Sequence, residues 1–226
     1  MPSRPSFFSS SVGSKILIGL TGLLLFGFLL SHLAGNLTLL GGPTAFNAYT
    51  EKMASFGPLL WVAEAGLVAI FLVHVVKTML NYRRNAAARP AAYREKRWAG
   101  HTSRKSWAST SMAITGLVIL VFVISHVKMF KFGAWYVDAA TGGRDLFRLV
   151  AEIFSNPVYV VAYVLTMGLI GLHLSHGLSS AVQSLGLSNQ RIGRGLVLGG
   201  RVLAAILAGG FAMLPIYMYL AHQVAQ

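Results

Sequence analysis

The chain has 226 residues, 55% hydrophobic and only 11% charged, with a mean hydropathy of +0.63; soluble domains carry about 25% charged residues, so this composition indicates an integral membrane protein. There is no cysteine, which excludes disulfides, thiolate-bound zinc and cysteine-bound iron–sulfur clusters, and leaves histidine, methionine and carboxylate as metal ligands. In so apolar a chain the net charge of +13 belongs to loops that set orientation and meet anionic headgroups, not to nucleic-acid binding.

Five apolar stretches are long enough to cross a bilayer as helices, which takes about 20 residues each. They run approximately 15–40, 59–82, 107–130, 157–185 and 196–221, and the whole chain reads as one all-α membrane domain. The first is not a cleaved signal sequence, because its apolar run is too long and no small-residue cleavage pattern follows. Pro43, Pro58 and Pro157 fall in loops or at span edges, whereas Pro215 lies inside the fifth span, where it is expected to bend the helix.

Orientation follows from the basic residues. Arg4 and Lys15 precede the first span. Arg83, Arg84, Arg89, Arg94, Lys96, Arg97, Arg104 and Lys105 follow the second, and Arg191, Arg194 and Arg201 follow the fourth. Those thirteen oppose only Lys52, Lys128, Lys131, Arg144 and Arg148 on the other side. The expectation is an N-terminus in the cytoplasm and a C-terminus outside.

Of seven histidines, His32, His74, His126, His173 and His176 lie well inside predicted spans, and each of the first four spans holds at least one. A lone histidine at that depth is as often a core residue bonding a neighbouring helix. Four on four helices point to function. His32 comes 17 residues after Lys15, a rise of about 25 Å, and His126 comes 19 after Trp107, so both reach the outer half of the membrane. His74 and His173 lie 16 residues from Pro58 and Pro157, on helices running the other way, and so fall in the inner half. One outer and one inner pair result, each drawn from two helices.

Histidines facing one another across a helical bundle suit axial ligation of haem iron. Two axial histidines leave no open coordination position, which favours electron transfer over oxygen binding. Gly22, Gly35, Gly66, Gly116, Gly168 and Gly171 leave room for a flat macrocycle, or equally for close helix packing. A repeat fits the same scheme: TGLLLFGFLLSH at 21–32 and TGLVILVFVISH at 115–126 keep one spacing from Thr-Gly to Ser-His. Their helices run in the same direction and must deliver a histidine at the same depth. The threonine is expected to bond its own helix backbone, and the glycine to admit a ring or a helix.

With SSSVGSKILIGLTGLLLFGFLLSHLAGN, LVHVVKTMLNYRR, TSRKSWASTSMAITGLVILVFVISH and GLHLSHGLSSAVQSLG, the chain resembles the cytochrome b subunit of succinate dehydrogenase / fumarate reductase complexes, in the single-chain, five-helix, dihaem form. The resemblance covers the first four spans. It implies four helices bundled around two haems b, with His74 and His173 holding the haem nearer an iron–sulfur subunit and His32 and His126 the outer one. It further implies a flavoprotein subunit, an iron–sulfur subunit and a membrane quinone (menaquinone) as partners, in a bacterial cytoplasmic membrane. The chain itself would not bind the dicarboxylate.

In HLSH both His173 and His176 are available, three apart on one helix face. Alignment with the family's ligand position favours His173, with His176 as a haem-contacting or propionate-side residue. Lys15, Lys77, Arg83, Arg104 and Lys105 lie near the inner haem and are candidates for its propionates, Lys15 and Arg104 foremost. Glu51 and Glu64 are either solvated carboxylates or part of quinone binding and proton exchange near the outer haem. His101 and His222 read as interfacial side chains. Two other functions compete. A histidine-using transporter would show inverted repeats and intramembrane acids, whereas here the repeated helices are parallel and acids are scarce. A haem-free structural anchor would use the histidines only to bond between helices. Whether the complex oxidises succinate or reduces fumarate is not written in this chain.

Overall fold

The computed structural model describes residues 10–88, 107–188, 191 and 193–224 (backbone only for 107–110). Seven α-helices are described: α1 Ser11–Asn36, α2 Gly42–Ala54, α3 Pro58–Ala87, α4 Trp107–Phe130, α5 Leu146–Ser155, α6 Pro157–Ser184 and α7 Gly193–Val224. Among the described residues five helical stretches are long and apolar enough to cross a membrane, beginning at Ser11, Pro58, Ser111, Pro157 and Gly193. The protein is an all-α integral membrane protein, as its composition indicates.

Local chemistry sets the helix ends. The Ser10 hydroxyl accepts from Gly13 N at 2.9 Å and opens α1. Asn156 accepts from Val158 N at 2.9 Å, with Pro157 in the first turn of α6, where a missing N–H costs nothing. The first span ends earlier than its apolar run suggests: α1 stops at Asn36, whose amide turns back to the His32 carbonyl at 2.8 Å, and a short 3-10 turn, Leu37–Gly41, follows. Gly42 then takes φ 81°, a left-handed backbone that favours glycine. Despite Pro215, α7 continues unbroken to Val224.

Two helices, α2 and α5, form a cap at the end of the bundle opposite the start of α1. The segment between the third and fourth predicted spans contains α5. Asp145 caps it, accepting from Arg148 N at 3.0 Å, and Leu149, Val150 and Phe154 are buried along one face. Buried Asn47 of α2 locks the cap: its amide donates to Asp138 Oδ2 (3.1 Å) and Asp145 Oδ1 (2.9 Å), and its oxygen accepts from Phe147 N (3.0 Å). Arg144 donates to the Phe130 and Lys131 carbonyls at 2.9 and 3.3 Å, closing the C-terminus of α4.

The continuous core runs through Leu33, Leu39, Phe46, Val150, Phe154, Val160, Leu207, Leu214 and Met218. It joins α1, α6 and α7 to the cap. α6 and α7 pack closely because Gly171 faces Ala208, where a Cβ would come within 2.9 Å, and Gly200 faces Leu178. By contrast α3 has no buried residue. It runs along α1 and only touches α4.

Candidate functional site

The site is built from the repeat in α1 and α4. The Thr21 hydroxyl lies 2.6 Å from the Leu17 carbonyl in its own helix and 3.1 Å from Nδ1 of His74 on α3. The Thr115 hydroxyl lies 3.0 Å from the Ser111 carbonyl and 3.1 Å from Nδ1 of His173 on α6. The next residue is glycine in both cases. A Cβ at Gly22 would stand 3.3 Å from Cε1 of His74, and one at Gly116 would stand 3.6 Å from Cε1 of His173. Each Thr-Gly pair is thus a seat for an imidazole delivered by the following membrane helix. The expected threonine–backbone bond is present, and the bond to the histidine is an addition that spacing alone did not reveal.

His74 and His173 share a level of the bundle, because each is seated on the threonine at the same place of its repeat and the two repeats are in register at His32 and His126. The Ser-His end of each repeat makes the second level. His32 and His126 meet edge to face, with ring centroids 5.9 Å apart and planes at 89°. Since 11 residues separate Thr21 from His32 and Thr115 from His126, the two levels lie about 16 Å apart along the helix axis.

The second level is aromatic. Phe28 stacks on His32 at 5.2 Å and Phe122 on His126 at 5.5 Å, each one turn before its histidine and at matching places in the repeat. Phe211 and Phe130 cover other sides at 5.7 and 5.1 Å. The Tyr163 hydroxyl lies 3.2 Å from Nδ1 of His126. The matched phenylalanines and Tyr163 were not singled out from sequence. The former were visible in the aligned repeat; the latter had no local signal.

The candidate glycines separate by role. Gly22 and Gly116 face imidazoles, and Gly66 and Gly168 border open space. Gly35 instead lies against the Tyr49 ring and Gly171 against α7, so these two serve packing. Lys15 is exposed and lines a cleft of about 520 Å³ with Val12, Ile18, Asn81, Ser180, Gln183 and Ser184. Asn81 is two turns along α3 from His74. Arg104, Lys105 and His101 lie outside the described residues. Glu64, near the opposite end of α3, pairs with Lys131, whose ammonium sits 4.6 Å over the Trp61 ring.

The donor set fits a haem better than a bare ion. Among the described residues no three metal-binding side chains of histidine, cysteine, aspartate or glutamate converge; the histidines come in twos from different helices, as two axial ligands do. Gly22 and Gly116 admit the imidazoles closely, and Gly66 and Gly168 border open space. One turn beyond His74, the buried Thr78 hydroxyl has no hydrogen-bond partner among the described residues.

No protein-family model matches the chain, and no solved structure gives a significant match. Over 163 residues, 71% of this chain and 73% of the relative, it is 27% identical to the succinate dehydrogenase cytochrome b558 subunit of Bacillus subtilis (strain 168). That similarity supports the resemblance carried by the histidine pattern: the chain is similar to a succinate dehydrogenase cytochrome b subunit.

Proposed function

We propose that the chain is the dihaem cytochrome b anchor of a succinate:quinone oxidoreductase, passing electrons between an iron–sulfur subunit and a membrane quinone, menaquinone in this reading. The observation that carries it is the arrangement of four histidines as two pairs, at two levels of one four-helix bundle. His74 and His173 would hold one haem b, and His32 and His126 the other. Bound haem b supplies a one-electron ferric/ferrous couple, whose potential the axial ligands and their surroundings set.

The chain's own residues supply the rest. Thr21 and Thr115 orient the first histidine pair. Phe28, Phe122, Phe130 and Phe211 exclude water around the second, which lowers the local dielectric and so tunes the potential of that site. Lys15 and Arg104 are the cationic partners for propionates of the haem at the N-terminal end, with His176 close by. Glu64, paired with Lys131, would take part in quinone binding or proton exchange near the other haem.

The complex sits in a bacterial cytoplasmic membrane with this chain's N-terminus in the cytoplasm. The basic segment between Arg83 and Lys105 docks the iron–sulfur subunit, to which the flavoprotein subunit is joined. The test is a reduced-minus-oxidised optical spectrum of the purified protein with haem extraction. About two haems b per chain is the expected result, and a protein without a b-type signal overturns the reading. Mapping the N-terminus outside, or a subunit interface confined to 128–157, overturns the docking.

A further inference from the structure

Proton accounting at the Thr-Gly seats fixes more than ring position. A threonine hydroxyl has one proton and accepts through its lone pairs. A backbone carbonyl only accepts. At Thr21 the Leu17 carbonyl is 2.6 Å away, with the Ile18 carbonyl at 3.2 Å; at Thr115 the Ser111 carbonyl is 3.0 Å away, with the Met112 carbonyl at 3.3 Å. Each hydroxyl proton therefore has a carbonyl to go to within its own helix. The oxygen is left to accept, and the group it faces at 3.1 Å is Nδ1 of a histidine; at the first seat the Ile18 carbonyl is a further acceptor for the His74 ring. A neutral imidazole carries one N–H, so a proton on Nδ1 leaves the lone pair on Nε2.

We propose that Thr21 and Thr115 are positioning residues that hold His74 and His173 in the Nδ1-protonated tautomer, so that both present Nε2 to one shared haem iron. The inference rests on the dihaem reading. The two seats are copies of one device: Thr-Gly on one helix, a histidine on the next, in α1–α3 and again in α4–α6. Because both seats serve the same level, that haem has the same outer partner on both faces. The other level lacks the device, His126 meeting Tyr163 and His32 lying beside Asn36.

The hydrogen bond does two things to a ligating imidazole. It fixes the ring against rotation, and it makes the ring more electron-rich, which favours ferric iron. Removing it should loosen the haem by about 10-fold or more and raise its potential.

The experiment uses the complex purified from membranes with Thr21→Val, Thr115→Val and the double variant, alongside Thr21→Ser and Thr115→Ser. Haem retention, redox titration and the low-spin ferric electron paramagnetic resonance signal are read together. Both valine variants should raise the same midpoint potential, the one assigned by His74→Ala, and should shift the same resonance signal. The double variant should do so further, and both serine variants should match the unmodified protein. Alanine at either position, which removes any crowding by methyl groups, should repeat the valine result. Unmoved potentials with both haems retained overturn the proposal, as do a shift confined to the haem that His32→Ala removes or serine variants that behave like valine. Failure of the dihaem reading looks different, since the unmodified complex itself would then lack the two haems.

Discussion

The His126 ring stands edge-on to the His32 ring, at 89° and 5.9 Å between centroids. The two residues are 94 positions apart in sequence but occupy the same place in the two copies of the repeat. This contact joins α1 to α4 at one level; at the other, His74 joins α3 to α1 through Thr21 and His173 joins α6 to α4 through Thr115.

Loss of either member of a pair should therefore give one phenotype. His32→Ala and His126→Ala should remove or convert the same haem and largely spare the other, while His74→Ala and His173→Ala should do so for the second haem. Redox titration with spectral deconvolution checks this grouping. It fails if His32→Ala and His74→Ala abolish the same signal.

His176→Ala should keep both haems and shift at most the potential of the haem beside His74 and His173, because His173, not His176, occupies the Thr115 seat. A histidine near a metal site but outside its ligand set tunes the site without holding it. Haem quantification decides: loss of one haem in His176→Ala, with retention in His173→Ala, reverses the assignment.

The glycines give a graded series. Gly22→Ala places a methyl 3.3 Å from the His74 ring, closer than nearly all real contacts, while Gly66→Ala meets nothing within 4 Å. Gly22→Leu should displace the imidazole and cost the haem at that level, with Gly22→Ala milder and Gly66→Ala silent. Optical spectra of the three membranes are sufficient, and equal losses at positions 22 and 66 would refute the seat.

How far this arrangement was legible depends on geometry. Span positions follow from apolar length, and depth follows from rise per residue, so the two histidine levels were readable. Rotation about each helix axis was not. Nothing in the spacing says that Thr21 faces His74, or that Gly35 faces Tyr49 while Gly22 faces a histidine. The cap was missed for another reason, since α2 and α5 are too short or too polar to stand out beside membrane spans. Yet α5 carried a signal in Asp145 followed by Leu146, Leu149, Val150, Ile153 and Phe154, a cap residue before a helical apolar stripe.

The cap has its own test. Asn47 is 5% exposed and makes three hydrogen bonds, so Asn47→Ala should cost about 1–3 kcal/mol, read as a lower unfolding temperature of the purified protein. The haem spectrum of the still-folded variant should be unchanged, since no histidine contacts this residue in the hydrogen-bond network described.

The same cap should respond to pH at both extremes. The Ala140 backbone N–H and the Asn47 amide hold the Asp138 carboxyl below the usual carboxylate range. Its contribution is present above about pH 4 and is lost as pH falls through the depressed value, because the unfolded chain takes up the proton first. Tyr136 is opposite in sign: its hydroxyl donates to Glu152 at 2.5 Å, which pushes the phenol up. That contribution is present below about pH 10 and is lost as pH rises through the raised value. Thermal unfolding across pH should show the acid arm weakened in Asn47→Ala and the alkaline arm weakened in Tyr136→Phe.

α3 buries none of its residues. In lipid no hydrophobic force draws one apolar helix to another, so a stave of this kind is kept in place by close contacts and interhelical bonds. Those of α3 include the seat where His74 meets Thr21 and Gly22, and the Glu64–Lys131 pair near its other end. A helix with no buried residue and only slight contact with α4 is the one that swings out when annular lipid is exchanged for a short-chain detergent. The mildness of solubilisation, before any question of redox poise, then decides whether the barrel of staves is recovered whole.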